Sequence, residues 1–569
     1  MPQPPAAAIA AMTDATPTPP LPLPALALVN PHDRAVPLLT VAQLRAAETA
    51  AQAALPVHTL MARAGAAAAH FLREQIAHAP SPASVKPVWF AAGPGNNGGD
   101  ALVTAAELKR AGIAVEVCMP LEVKPADARW ALAEAHAAGV PITATPPESF
   151  DAYGWLVDGL FGIGLARALD GVFGALAQRF AARARSHGHV LALDVPSGLD
   201  SDTGNPVGNG PAVRATHTVT FIAAKPGLYT GAGRDCAGAV SVAPIGLNAG
   251  LNAGLNAGLT AGLHAGLNAG LNAGIDTPTE ALSAWLNAPA LFSAAMPARD
   301  FATHKGSFGT LAVVGGDTGM CGAPILAARA ALLAGAGKVH VGFLGNDAPP
   351  YDAPHPELML HNAGKLALDT MSAVAAGCGM GGSASARQLV DRILQLDVPV
   401  LLDADALNLV ARDIVLAGRV AEHLRVHGAP CVLTPHPLEA ARLLGTDTAA
   451  VQRDRLAAAR ALAAHYAAVV VLKGSGTVIA SPDGRIAVNP TGNAALATGG
   501  TGDVLGGLIG ALLAQRLPPW EAALAGVYLH GLAADTLVAE GEGPVGLAAG
   551  ELAAVIRRLM NRLFYAAKD

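Results

Sequence analysis

At 569 residues the chain exceeds what one hydrophobic core ordinarily organises, so two or more domains are expected. A formal net charge of −6 leaves no basic footprint and argues against nucleic acid as a partner. Hydrophobic residues make up 52% of the chain, yet no stretch of about 20 residues is free of Gly, Pro and charge, so no membrane span is expected.

Residues 1–37 are rich in Ala and Pro and carry no positive charge ahead of their apolar residues. They read as a disordered tail of a cytoplasmic protein, not as a signal peptide. Helical patterns follow over 40–50 and 60–75. VWFAA (88–92), VEVCM (115–119), WLVD (155–158), VLALD (190–194) and TVTFIA (218–223) then read as buried strands between amphipathic segments, the βαβ pattern of a parallel sheet. From 246 to 273 a GLNA-type tetrapeptide repeats. A Gly at every fourth position weakens a helix by roughly 1 kcal/mol each relative to Ala, so 246–275 is expected to be a linker. A second α/β domain is expected over 276–569. Its strands are GTLAVVGG (309–316), KVHVGFLG (338–345), VPVLLDAD (398–405), CVLTP (431–435) and AVVVLKG (468–474), with helices at 323–337 and 455–467. Five scattered cysteines, never in a CxxC pair, speak against a disulfide scaffold or a thiolate metal site.

The segment GPGNNGGDALVTAAELKRAG (93–112) follows the first strand, with Asp100 expected to open a helix. Glycines let backbone approach a ligand, and free N–H groups at a helix start suit a diphosphate. It is neither a Walker A loop nor a GxGxxG, and a capped Gly-rich turn is the plainer alternative. Asp158 lies at one strand end, ahead of Gly162 and Gly164, and Asp194 and Ser197 lie at another. Ligands of open α/β sheets bind at the carboxyl ends of strands, so Asn96, Asn97, Asp100, Asp158, Asp194 and Ser197 are expected to converge on one crevice.

Together NNGGD, DGLFGIGL, LDVPSGLD and TVTFIAAKPGLY resemble the epimerase domain that acts on hydrated NADH and NADPH (NAD(P)HX), over about 40–245. The resemblance implies a Rossmann-like fold for a domain spanning 38–245. It implies contact with the hydrated dinucleotide through Asn96, Asn97, Gly98, Gly99 and Asp100, through Gly162, Ile163, Gly164, Leu165, Ala166, Arg167 and Ala168, and through Asp194 at the reacting ring. It also implies a potassium ion on Asn97, Asp158 and Ser197, oxygen ligands of the kind a hard cation takes. Asp194 then relays a proton or stabilises a ring cation while C6 is planar. One departure is Ala62, where similar domains often carry an acid.

In the second half, NPTGNAALATGGTGDVLGGLIGALLAQ (489–515) places Asp503 at the mouth of a helix after a Gly-rich turn. Backbone N–H groups there can stabilise a transferring phosphoryl group, and the aspartate can take a proton from a substrate hydroxyl. A lone GD would fit a capped helix; TGGTGD fits that reading less well. LKGSGT (472–477) offers a Lys-Gly turn for phosphate, and TPHP fixes His436 between prolines. Asp403, Asp405 and Glu439 are further acids that either contribute or cap locally.

With LDADALN (402–408), GCGMG (377–381) and HKGSFGTLAVVGGDTGMCGA (304–323), these segments resemble the ADP-dependent NAD(P)HX dehydratase domain over about 299–559. The resemblance implies a ribokinase-like α/β/α fold. Ala323, Gly379, His436 and Asp503 would contact the hydrated dinucleotide. Lys473, Gly474, Ser475, Gly476, Thr477 and Gly502 would hold ADP or ATP, with Mg²⁺ on the nucleotide phosphates. The expected whole is a cytoplasmic, homo-oligomeric bifunctional repair enzyme. Its rivals are a ribokinase-like small-molecule kinase with a non-catalytic N-terminal binding module, and a scaffold protein.

Overall fold

Apolar runs bounded by glycine and proline become strands throughout the chain, and the acids expected at strand ends stand at or next to them. A computed structural model describes residues 35–78, 86–248, 275–276 and 284–565. Residues 1–34 and most of the GLNA repeat lie outside them.

The first half forms a seven-stranded sheet. Its strands are β1 (Val88–Ala92), β2 (Val115–Cys118), β3 (Ile142–Thr143), β4 (Trp155–Gly159), β5 (His189–Leu193), β6 (His217–Phe221) and β7 (Ala239–Ala243). They run parallel in the order β3-β2-β1-β4-β5-β6-β7. Every residue of β1 and β4 is buried, which is why these strands read as unbroken apolar runs and not as alternation. Strand order reverses between β1 and β4, and that switch point opens the crevice of a doubly wound sheet.

The helix after β1 is Asn96–Arg110, so it opens at Asn96, four residues before the expected start at Asp100. The glycines are absorbed into its first turns because they allow close approach. A Cβ on Gly98 would sit 1.8 Å from the Gly93 carbonyl oxygen, and one on Gly99 would sit 2.6 Å from Met61. Ahead of the sheet, Thr40 caps the helix Val41–Ala54 in a capping box with Gln43.

In the second half β10 (Ala284–Leu286), β11 (Thr310–Gly315), β12 (Lys338–Phe343), β13 (Met359–Asn362), β14 (Ala373–Ala376), β15 (Val400–Leu402), β16 (Val432–Leu433), β17 (Val469–Leu472), β18 (Val478–Ala480) and β19 (Ile486–Val488) form one sheet. Their order is β10-β19-β18-β17-β16-β15-β14-β11-β12-β13, antiparallel only at β17–β18 and β18–β19. One face carries Gly322–Leu333, Thr501–Ala514, Pro519–Ala539 and Ala549–Met560. The other carries Ala384–Ile393, Ile414–His427, Pro437–Leu444 and Arg455–Tyr466. The result is the α/β/α layering of a ribokinase-like domain. Pro519–Ala539 is long and apolar enough to cross a membrane, but 72% of its apolar window is buried against the sheet layer, which marks it as a core helix.

The two halves share a core. Val36 and Pro37, assigned from sequence to the tail, are instead ordered: Pro37 bridges to Trp285, and Val36 O accepts from Leu286 N at 2.8 Å. Leu39 N, two residues on, donates to Ala224 O at 2.9 Å in the first half. At the ends of the expected linker, β8 (Leu247–Asn248) pairs in parallel with β9 (Ile275–Asp276).

Candidate active sites

At the switch point between β1 and β4 lies a pocket of about 380 Å³. Asn96, Asn97, Asp100, Gly162, Ile163, Gly164, Leu165 and Asp194 line it. Gly98 and Gly99 do not; they are spent on helix packing. Ala166 and Arg167 are exposed outside the lining, and Ala168 packs beneath Gly208 and Gly210.

Asp194 follows β5 with φ +65, a left-handed conformation that costs an L residue energy and re-aims its side chain. Its Oδ1 lies 2.7 Å from Lys225 Nζ. That ammonium also donates to Thr220 Oγ1 at 2.8 Å and Phe221 O at 2.7 Å, and its side chain is only 1% exposed. Lys225 therefore holds one oxygen of Asp194 and leaves the other at the pocket. A Cβ on Gly162 would sit 2.9 Å from Asp194 Oδ2 and 3.6 Å from Asn97 Oδ1, so the missing side chain keeps that space open. Glu48 reaches the same pocket from the helix Val41–Ala54. Burial and then the charge of Asp194 push its carboxyl above the usual range. The same two causes, joined by Glu48, push Asp100 up strongly.

Beneath the pocket Asp158 is fully buried. Its Oδ1 accepts from Ser197 Oγ at 2.7 Å and Leu160 N at 3.2 Å, and its Oδ2 from Ser197 N at 2.8 Å. Burial lifts it to about 6 against the pull of these bonds. The Phe161 carbonyl lies 3.0 Å from Ser197 Oγ. Both polar atoms of the Asn97 side chain are buried without a hydrogen-bond partner. An orphaned amide beside a carboxylate, a hydroxyl and a carbonyl is an oxygen-rich set suited to a hard monovalent cation.

The second site lies at the carboxyl ends of β14, β15 and β17. Lys473, after β17, places Nζ 2.7 Å from Oδ1 of Asp403, after β15. Burial works against the Lys473 charge, but Asp403 and Glu439 outweigh it and hold the ammonium above its usual range. Above the pair comes the mouth of Thr501–Ala514. A Cβ on Gly502 would meet Lys473 Nζ at 3.6 Å and Asp403 Oδ2 at 3.9 Å, which places this glycine in contact range of the ion pair. Asp503 is the third residue of that helix. Burial and then Asp403 push its carboxyl up to about 6, with Lys473 opposing. Behind it His530, lowered to about 4 by burial, is neutral and donates from Nε2 to Thr501 O at 2.9 Å.

Gly379 and Ala323 adjoin each other, a Cβ on the glycine falling 3.5 Å from that of Ala323. His436 is the N-cap of Pro437–Leu444: its Nδ1 accepts from Leu438 N at 3.1 Å and Glu439 N at 3.3 Å, and Glu439 returns a bond to its backbone N–H. Nδ1 is thus unprotonated and the ring fixed, with the imidazole half-exposed. Of the expected nucleotide turn, Lys473 and Gly474 lie at this site, Thr477 Oγ1 bonds Gly474 O at 3.2 Å, and Ser475 and Gly476 face the first half of the chain. Among the described residues no group of three or more His, Cys, Asp or Glu is arranged to hold a metal.

The family model described as YjeF-related protein N-terminus matches residues 57–227, and that described as NAD(P)H-hydrate dehydratase matches residues 311–558. The bifunctional NAD(P)H-hydrate repair enzyme of Escherichia coli is 37% identical over 525 residues, 89% of this chain and 90% of that one. The chain belongs to the bifunctional NAD(P)H-hydrate repair enzyme family. The ADP-dependent (S)-NAD(P)H-hydrate dehydratase of Neisseria meningitidis is 48% identical over 289 residues, 50% of this chain and 94% of that one. The ADP/ATP-dependent NAD(P)H-hydrate dehydratase of Bacillus subtilis, crystallised with ATP and Mg²⁺, is 36% identical with a TM-score of 0.42, covering 48% of this chain and 95% of that one.

As in other NAD(P)H-hydrate repair enzymes of this fused type, an epimerase-type and a dehydratase domain stand in one chain, and the resemblance of both halves holds. Among the pocket residues that escaped the sequence reading are Lys225 and Glu48. Lys225 sits inside the quoted segment TVTFIAAKPGLY, where a lysine after an apolar run was a usable signal. Glu48 gave none, because one acid on an amphipathic helix looks like solvent-facing surface.

Proposed function

We propose that the N-terminal site epimerises NADHX and NADPHX at C6 and that the C-terminal site dehydrates the S epimer with ADP or ATP. The observation that carries this is the presence in one chain of two separate acid–lysine sites, Asp194–Lys225 at a switch-point pocket and Asp403–Lys473 beneath the Asp503 helix mouth. The hydrate is a hemiaminal, so inversion at C6 passes through a trigonal carbon and needs a base and an acid. Asp194, oriented by Lys225, is the base; Glu48, raised by burial, faces it as the acid.

In the second site Asp503 takes the 6-hydroxyl proton as that oxygen bonds the terminal phosphorus and the nucleotide's bridging oxygen leaves. The ring nitrogen then expels phosphate from C6, and loss of a C5 proton gives the dihydronicotinamide. Hydroxide is a poor leaving group and phosphate a good one, which is what the nucleotide supplies. Asp403 is committed to Lys473 and no cage of three acids exists among the described residues, so Mg²⁺ would arrive on the nucleotide phosphates. Its chemistry is neutralisation of phosphoryl charge. Cytoplasmic placement fits five cysteines that are all free thiols.

Asn97, Asp158 and Ser197 would hold potassium, which supplies charge balance beneath the substrate. Ser197→Ala is expected to raise the potassium concentration for half-maximal epimerisation roughly tenfold, about the loss of one polar ligand. The same potassium titration curve in wild type and variant would remove Ser197 from the site.

The direct test mixes both epimers of hydrated NADH with the protein, Mg²⁺ and ADP or ATP, and follows absorbance at 340 nm. Complete nucleotide-dependent recovery is expected. Recovery that halts partway removes the epimerase half of the reading, and none at all removes the dehydratase.

A further inference from the structure

The turn at 473–477 is built by both halves of the chain. On its own side, Lys473 N donates to Pro435 O at 2.9 Å. Arg455, only 2% exposed, donates from Nη2 to Leu472 O at 3.1 Å and Lys473 O at 3.2 Å. From the first half, Gly231 N donates to Ser475 O at 3.1 Å, and Ser475 Oγ returns a bond to Gly231 O at 3.1 Å. Thr230, fully buried, donates from Oγ1 to Gly476 O at 3.1 Å and accepts from Arg455 Nε at 3.1 Å. Gly476 has φ +63, and a Cβ there would lie 1.8 Å from the Tyr229 carbonyl oxygen. The opposite domain's backbone thus excludes any side chain from this position of the turn.

Thr230 also stands five residues after Lys225, with the buried turn Pro226–Leu228 between them. One short packed segment therefore has the Asp194 partner at one end and the Lys473 turn at the other.

We propose that Thr230 is a positioning residue of the dehydratase: through Arg455 and Gly476 the epimerase domain holds the Lys473 turn in the shape that receives nucleotide phosphate. The proposal rests on the nucleotide-dependent reading of the C-terminal site. Removing the Thr230 hydroxyl leaves Arg455 Nε and Gly476 O buried without a partner, and the turn relaxes away from the conformation that Lys473 needs. A purely structural contact would lower thermal stability and leave the nucleotide dependence alone. A positioning contact moves KM for nucleotide.

The test uses the full chain and the purified S epimer, with ADP and ATP each varied and NADH read at 340 nm. Thr230→Val is expected to raise the nucleotide KM about tenfold with kcat within about twofold, and Thr230→Ser to return it near wild type. An unchanged KM in Thr230→Val, beside an active wild type, overturns this proposal alone. A wild type with no nucleotide dependence overturns it together with the reading it rests on. Hydrogen exchange on the wild-type chain covers the case in which the valine variant does not fold. Saturating ATP with Mg²⁺ is expected to slow exchange at Gly231, and exchange there indifferent to nucleotide also overturns it.

Discussion

Asp503→Asn is expected to lower nucleotide-dependent dehydration of the S epimer by roughly 10³-fold in kcat, the range for loss of a general base. The substitution keeps the shape of the helix mouth and one hydrogen-bonding oxygen while removing the carboxylate proposed to take the 6-hydroxyl proton. Because burial and Asp403 hold the Asp503 carboxyl at about 6, the wild-type rate should fall as pH drops through 6 and level off above it. The variant's residual rate should lack that limb. Folding gives an independent control. A carboxyl whose folded pKa lies above its unfolded value of about 3.9 favours the native state when protonated, and that contribution is lost as pH rises through the folded pKa. At pH 8 the charge is a burden, so the variant should melt no lower than wild type. Lost activity beside undiminished stability assigns the loss to chemistry; dehydration within tenfold of wild type would take Asp503 out of the mechanism.

The layered architecture was legible because parallel strands buried on both faces are written as short continuous apolar runs. VWFAA became β1 residue for residue, and the acids after β5 and β15 could be placed by reading past the run. AVAA (373–376) escaped notice although it is a central strand: alanine favours helices, and only the tight space between β11 and β15 makes its small side chain suitable. The antiparallel β18 and β19 were too short for their alternation to show. At the sites, each motif brought only some of its residues to the pocket, with Gly98, Gly99, Ala166, Arg167 and Ala168 outside the lining, whereas Lys225 and Glu48 reach it beside partners distant in sequence. His436 is the converse case. Its Pro-His-Pro setting signals a fixed imidazole, and the structure shows a helix cap doing the fixing, a local cause the sequence alone could not separate from a ligand contact.

Asp194→Asn is expected to abolish epimerisation, by roughly 10³-fold, while dehydration of purified S epimer continues. In the mixed-epimer assay the NADH signal should rise to the S fraction and then creep at the uncatalysed inversion rate. Here the fold does not stay neutral, because Lys225 is the partner left behind. Its side chain is 1% exposed and its other acceptors are uncharged, so the variant buries an uncompensated ammonium. Breaking such a pair costs about 3 kcal/mol. Lys225→Met on top of Asp194→Asn removes the stranded charge and should restore much of the melting temperature, yet no epimerase activity should return. That split distinguishes a catalytic carboxylate from one retained to neutralise a buried lysine. If the double variant recovered both stability and inversion, Asp194 would be structural, and the base would have to be sought at Glu48 or Asp100 on the same pocket wall.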